Sequence, residues 1–291
     1  MNNHLSDNIE KHASKFSKGQ RLIAEYIERH YDKAAFMTAS KLGATVGVSE
    51  STVVRFATEI GYDGYPSLQK AMQEMIRSKL TTVQRIEVAG ERIGDSDVMD
   101  SVLNLDIEKI RVTLEDSSRE NFYAAVDTLI HARRIYIVAA RSSVALASFL
   151  SYYFNLIFDE VVLINAVSAG EIFERMVRIG PEDAVIGISF PRYSSSTSKA
   201  LDFASKRHAR IISITDSHSS PLVAYSDLVL LARSEMVCVV DSLVAPLSLI
   251  NALIVAVALT RKDETVRRFI ELEHIWDHNS VYEKVDDESK K

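Results

Sequence analysis

Cysteine is almost missing. Cys238 stands alone in 291 residues, which excludes an internal disulfide and a zinc site built on several thiolates. The eight histidines show no ligand-like spacing, so neither a metal centre nor a cofactor is expected. Long apolar runs are also lacking. The longest, near Leu247 to Leu259, is interrupted by Ser248 and Asn251 and falls short of the roughly 20 residues a spanning helix requires. Residues 1–18 are polar, without the apolar core of a signal peptide, and the expectation is a cytoplasmic chain with no membrane partner. No strong excess of one charge sign marks the chain as a nucleic-acid coat, because the net charge is −6. The balance is uneven, however: residues 1–80 hold 11 Lys and Arg against 9 Asp and Glu, and the remainder 23 against 31. Any DNA contact therefore belongs at the N-terminal end, with a motif to carry it.

What is present, 47% hydrophobic and 25% charged residues, suits a globular chain long enough for two domains. Residues 1–80 carry helical patterns without a convincing strand, whereas short β-branched runs alternate with helical stretches from Arg133 onward. Between them, Ser78 to Ser101 contains Gly90, Gly94 and the polar Asp95-Ser96-Asp97 cluster, and reads as a partly helical linker. The expected division is a helical DNA-binding domain over 1–80, a linker with a connecting helix over 81–118, an α/β domain over 119–275 and a charged tail over 276–291.

Ser17-x-x-Gln20 fits a capping box opening a helix whose inner face carries Leu22, Ile23, Tyr26 and Ile27. Two short helices follow, with Thr38 and Ser49 as caps and a tight turn at Gly47. Ala39, Leu42, Gly43 and Val46 recur at i, i+3, i+4 and i+7, and Val53, Phe56, Ala57 and Ile60 repeat that spacing. Glycine inside a helix costs about 1 kcal/mol relative to alanine, so Gly43 implies a close approach, and Gly47 can supply positive φ. These features predict a helix-turn-helix whose second helix enters the major groove. Its outer face would display Glu50, Ser51, Val54, Arg55 and Thr58. Arg55 suits guanine or phosphate, Val54 a thymine methyl, and Ser49, Ser51 and Thr52 phosphate oxygens. With the cap Thr38 these form the candidate DNA-binding set. A hairpin packed on a partner protein, with Arg55 merely solvated, is the alternative. After Gly61, Gly64 and a turn at Pro66, a helix is expected from Ser67 to Lys79; its Lys70, Arg77 and Lys79 suit either a DNA backbone or a solvated face.

The second half reads as strand, loop, helix, repeated: IYIVAA, EVVLINA, AVIGISF, RIISIT and DLVLLA are the strands. Such alternation predicts a parallel sheet between helices, with ligands where strands end and helices begin. Two of those turns are rich in hydroxyls and arginine: one contains Arg141, Ser142 and Ser143, the other Ser189, Arg192, Tyr193, Ser194 and Thr197. Hydroxyls and free N–H groups at helix starts cradle an anion, and arginine adds a bidentate clamp. A single Ser-rich turn is often only a cap, but two at matching places in one sheet point to a phosphate-bearing ligand. The turn from Thr215 to Pro221 reads as structural. Asp241 to Leu259 reads as a helix apolar nearly all round, suited to a core or a subunit interface.

Together the halves resemble the RpiR/MurR family of bacterial regulators, in which an all-α helix-turn-helix bundle precedes an α/β sugar isomerase (SIS) domain. The resemblance covers nearly the whole chain and rests on VSESTVVRFATEIGYDGYPSL, AARSS and ISFPRYS. It implies a transcription regulator of carbohydrate genes that binds operator DNA, takes a phosphorylated sugar or sugar-acid effector, and forms a homodimer or a dimer of dimers. It also implies that Ser142 and Ser143 occupy the first phosphosugar-binding turn and that Ser189 and Ser194 belong to the second. Ala139 stands where SIS domains often have glycine, and the loop from Ser189 to Ser194 departs from their Ser-x-Ser-Gly-x-Thr pattern. Two readings stand beside this one: a sugar-phosphate isomerase, for which Glu171, His208 and Glu235 are the available bases, and an α/β domain that only dimerises.

Overall fold

The structure, a computed structural model, describes residues 4–77, 82–93, 97–165, 169–234 and 240–283. Its helices before the first strand are α1 (His4–His12), α2 (Lys18–Arg29), α3 (Tyr31–Ala34), α4 (Ala39–Val46), α5 (Glu50–Glu59), α6 (Tyr65–Arg77), α7 (Thr82–Ile93), α8 (Val98–Asp116) and α9 (Arg119–His131). There follow β1 (Ile135–Ala139), α10 (Val144–Ile157), β2 (Val161–Ile164), α11 (Ala169–Arg175), β3 (Ala184–Ile188), α12 (Ser195–Lys206), β4 (Arg210–Thr215), β5 (Leu228–Leu231), α13 (Val244–Thr260) and α14 (Lys262–His278). Contacts divide the chain into two units, Met1–Ile107 with Glu235–Ser242, and Glu108–Ser234 with Leu243–Lys291.

In the first unit the sequence signals act as local stops and starts. Ser17 and Gln20 form the expected capping box, Thr38 caps α4 by accepting from the Lys41 N–H, and Ser49 caps α5 by accepting from the Thr52 N–H. Gly47 takes φ 78° and ends α4. The core gathers Phe16, Ile23, Ile27, Leu42, Val53, Phe56, Ile60 and Leu68, with Phe16 and Phe56 rings 5.3 Å apart. Burying each such side chain stabilises by about 1.5–3 kcal/mol. Two expectations fail here. Leu22 is 42% exposed, because the inner face of α2 is Ile23, Ala24 and Ile27. Pro66 does not precede α6 but sits in its first turn, where a missing N–H leaves no intrahelical bond unmade. The same unit holds an ion pair between the buried Arg85 and the half-buried Asp241, at 2.8 Å.

In the second unit all five strands are parallel, in the order β2-β1-β3-β4-β5. Alternation along each strand sends Ile135, Ile137, Ile186, Ile188, Ile212 and Ile214 to one face, where α9, α10 and α13 cover them. Tyr136, Val138, Val185 and Ile211 face the other side, against α11 and α12. Gly187 is the point of closest approach there: a β-carbon on it would stand 2.8 Å from the Leu201 side chain of α12. The long apolar helix begins at Val244 rather than Asp241; Ala245, Leu249, Ile250, Leu253 and Val257 are buried, while Val255 and Leu259 remain exposed. Among the described residues no single helix is long and apolar enough to cross a membrane, and no group of metal-ligating side chains is found. Cys238 lies outside the described residues.

Candidate functional site

Two places concentrate polar groups on a rigid frame. In the first unit, Val53, Phe56 and Ala57 are fully buried beneath α5, and this fixes the helix with Glu50, Ser51, Val54, Arg55 and Thr58 outward. Gly43 sets how α5 meets α4. A β-carbon there would fall 2.8 Å from the Val48 carbonyl oxygen and 3.3 Å from the Glu50 nitrogen. The close approach is thus to the turn backbone entering α5.

At the start of α5 the hydroxyls are linked to one another: Ser49 Oγ lies 2.9 Å from Ser51 Oγ and 2.8 Å from Thr52 Oγ1. Thr52 is half-buried, with its methyl facing Gly19 of α2, so its exposure is less than the sequence suggested. Arg55 Nε donates to the Ser51 carbonyl at 3.3 Å, leaving the guanidinium on the exposed face. Thr58 Oγ1 donates to the Val54 carbonyl, and Val54 itself is 40% exposed. Thr38 is an exposed cap of α4. Lys70 is exposed on α6, and Lys79 lies outside the described residues. The surface offers one guanidinium, several hydroxyls, one apolar contact and the partial positive charge of a helix N-terminus, a combination suited to a phosphate backbone and base edges.

In the second unit the strand order reverses at β1. The chain after β1 passes to α10 on one face, and the chain after β3 passes to α12 on the other. Paired neighbours, with Ala139 opposite Ile188, the two strands therefore open a crevice at their carboxyl ends. Both predicted turns stand there. In the first, Arg141 has φ 56° and is exposed, Ser142 is exposed, and Ser143 is buried just before α10.

The second turn is a hydrogen-bonded loop. Ser189 Oγ accepts from the Ser194 N–H at 3.1 Å, Ser194 Oγ accepts from the Thr197 N–H, and Thr215 Oγ1 donates to the Ser189 carbonyl at 2.9 Å. Arg192 has φ 60° and is exposed. Thr197 is 1% exposed, and its hydroxyl has no hydrogen-bond partner among the described residues. Tyr193 is held elsewhere: its hydroxyl donates to Asp216 Oδ1 at 2.7 Å. A cavity of about 380 Å³ beside α12 takes in Tyr193 and Ser195 but not Arg141, Ser142 or Ser189. The turn from Thr215 to Pro221, read from the sequence as structural, also braces this loop through Thr215 and Asp216; that it serves the neighbouring loop follows from strand order and had no local signal. Among the proposed bases, His208 precedes β4 and so lies at the amino ends of the strands, opposite the crevice, Glu171 lies in the first turn of α11, and Glu235 is outside the described residues.

Comparison with known proteins agrees with this architecture. Residues 3–79 match the helix-turn-helix domain of the rpiR family, and residues 128–256 match the SIS domain. An uncharacterised HTH-type transcriptional regulator of Caldanaerobacter subterraneus is 24% identical over 271 residues, covering 89% of this chain and 92% of the relative. The sugar isomerase domain of an RpiR transcription factor from Sphaerobacter thermophilus superposes with a TM-score of 0.58 at 26% identity, covering 60% of this chain and 97% of that one. NanR of Vibrio vulnificus, solved with ManNAc-6P, gives 0.57 at 21% identity and covers 92% of this chain and 96% of its own. With a helix-turn-helix of the rpiR type at its N-terminal end and a SIS domain after it, the chain belongs to the RpiR family of transcription regulators.

Proposed function

We propose that this regulator binds operator DNA as a two-fold dimer, through the outward face of α5, and that a phosphorylated sugar or sugar acid seated between the turns after β1 and β3 alters that binding. The observation that carries the reading is the burial of Val53, Phe56 and Ala57, which leaves Ser51, Val54, Arg55 and Thr58 free to meet a duplex. A dimer presents two such helices to the half-sites of a pseudo-palindrome. Ser142, Ser143, Ser189, Ser194 and Thr197 supply acceptors and donors for a phosphate at the helix starts, and NanR, similar over nearly its full length, was solved with a sugar phosphate. The genes under control are those of carbohydrate use, and the protein works in the cytoplasm beside the DNA.

Effector and DNA must each change the other's affinity by the same factor, since the effector acts only by favouring one arrangement of the dimer. Isomerase chemistry fits less well. It needs a base beside the sugar carbons, and neither polar turn contains a carboxylate or a histidine: His208 lies at the amino ends of the strands, and Glu171 belongs to the first turn of α11, after β2. A single preparation tests both readings, by gel retardation of the DNA upstream of its own gene, with and without a panel of hexose, pentose and amino-sugar phosphates, beside turnover assays on the same panel. The expected result is retardation, changed by a member of the panel, without turnover. Turnover without retardation would replace this reading with an enzymatic one.

A further inference from the structure

We infer that Thr215 and Asp216, from the end of β4, are positioning residues of the effector site: they hold the turn after β3 in its binding shape, Asp216 by way of the Tyr193 hydroxyl. The inference rests on the proposed phosphosugar reading and deepens it, because it assigns part of the site's affinity to residues that do not touch the ligand. Tyr193 then belongs to the support and is not a ligand contact.

The turn after β3 is folded against a local preference. Arg192 has φ 60°, a left-handed backbone that is uncommon for any residue but glycine and persists only where its surroundings impose it. Both sides of that corner are held. Before it, Ser189 is 3% exposed and Phe190 6%, and the Ser189 carbonyl accepts from Thr215 Oγ1 at 2.9 Å. After it, the Tyr193 hydroxyl donates to Asp216 Oδ1 at 2.7 Å, and the Ser194 N–H donates to Ser189 Oγ at 3.1 Å. The bond from Tyr193 is the strong one, since a hydrogen bond to a carboxylate exceeds one between neutral groups.

The support is rigid. Thr215 ends β4 and Asp216 follows it, at 0% and 3% exposed. β4 lies between β3 and β5, and past its end the Thr215 carbonyl still accepts from the Ala232 N–H at 2.8 Å. Thr215 Oγ1 also stands 2.8 Å from Ser220 Oγ in the same turn. The groups that would meet a phosphate, the cap Ser194 and Thr197 in the first turn of α12, are thus tied to the sheet one strand away. A released Tyr193 ring has somewhere to go, because it lines the cavity of about 380 Å³ that α12 shares with Pro221 and Tyr225. A ligand that binds only the held shape sees its affinity scaled by the fraction of molecules in that shape. Breaking the support therefore slows association and leaves dissociation nearly unchanged, whereas removing a contact speeds dissociation.

Surface plasmon resonance on the immobilised full chain tests the inference, with hexose, pentose and hexosamine phosphates as probes, at a temperature where thermal unfolding shows every variant folded. Tyr193→Phe, which removes a single oxygen, is the decisive variant; Thr215→Val and Asp216→Ala accompany it, and Ser194→Ala with Thr197→Val is the contact control. Each of the three supporting variants should bind the tightest probe about tenfold more weakly, equivalent to about 1.4 kcal/mol. The loss should lie in association, with dissociation within about twofold of wild type, whereas the contact control should dissociate faster. In an Arg192→Gly background, where glycine adopts the left-handed backbone freely, Tyr193→Phe should change affinity by no more than about twofold. Wild-type association in Tyr193→Phe, a loss carried by faster dissociation, or an undiminished loss in the glycine background would overturn this inference alone, provided the contact control still loses binding. Binding that ignores that control, or no binding of any probe by the wild type, would overturn the parent reading and this inference with it.

Discussion

Gly43 and Val48 lie so close that a β-carbon on the glycine would stand 2.8 Å from the Val48 carbonyl oxygen. Backbone, not a movable side chain, occupies the space. Gly43→Ala therefore loses more by steric conflict than the roughly 1 kcal/mol it gains in helix propensity, and a net destabilisation of about 1–3 kcal/mol is expected. Chemical denaturation of the full chain, followed by helical circular dichroism, should show the shift in the transition of the first unit. DNA affinity should fall with it, because the turn aims α5.

Tyr65 gives the same unit an alkaline limit. Its hydroxyl donates to the Met37 carbonyl at 2.7 Å, its ring is buried, and burial pushes its pKa from 10.0 up to about 12. In the unfolded chain the phenol ionises first, so the stabilisation is full below pH 10 and is lost as pH rises to about 12. The expected decline is about 1.4 kcal/mol per pH unit across that window. Tyr65→Phe should cost about 0.5–1.5 kcal/mol at pH 7 and show a shallower decline. Urea midpoints at pH 7, 10 and 11 for both proteins measure the difference; parallel curves would contradict it.

Thr197 separates stability from binding. Among the described residues its buried hydroxyl has no hydrogen-bond partner, a condition that costs about 1–3 kcal/mol. Thr197→Val should therefore leave the free protein as stable as before or more so, while weakening its affinity for sugar phosphates. Thermal unfolding without ligand and calorimetry with ligand read the two effects. A clear loss of stability in the free protein would contradict this assignment.

The legible parts of the fold were those set by local chemistry. Ser17 with Gln20, Thr38 and Ser49 cap helices because a side-chain oxygen can serve an orphan N–H only at those positions, and Gly47 marks its turn by the φ that alanine resists. The strands were equally plain: β1 and β3, buried on both faces, are continuously apolar, and the others are short runs rich in Ile, Val and Leu. Leu22 misled, because periodicity alone could not say which edge of an apolar stripe faces solvent. Pro66 misled because the first turn of a helix tolerates what its interior does not. Of the candidate site, the two turns could be read but not the engagement of Tyr193 with Asp216, residues 23 positions apart whose meeting depends on strand order. The left-handed backbone at Arg141 and Arg192 had no signal, since glycine or asparagine would normally announce it.

The outward face of α5 is the centre of the account, and footprinting tests it most directly. Wild-type protein and Arg55→Ala, with matched thermal stability, are compared on the DNA upstream of the chain's own gene. The account predicts two protected half-sites whose centres lie one helical turn apart, about 10–10.5 base pairs, or a multiple of it, and at least a tenfold weaker footprint for the variant, equivalent to about 1.4 kcal/mol. An equally strong footprint from Arg55→Ala, or none from the wild type, would contradict it.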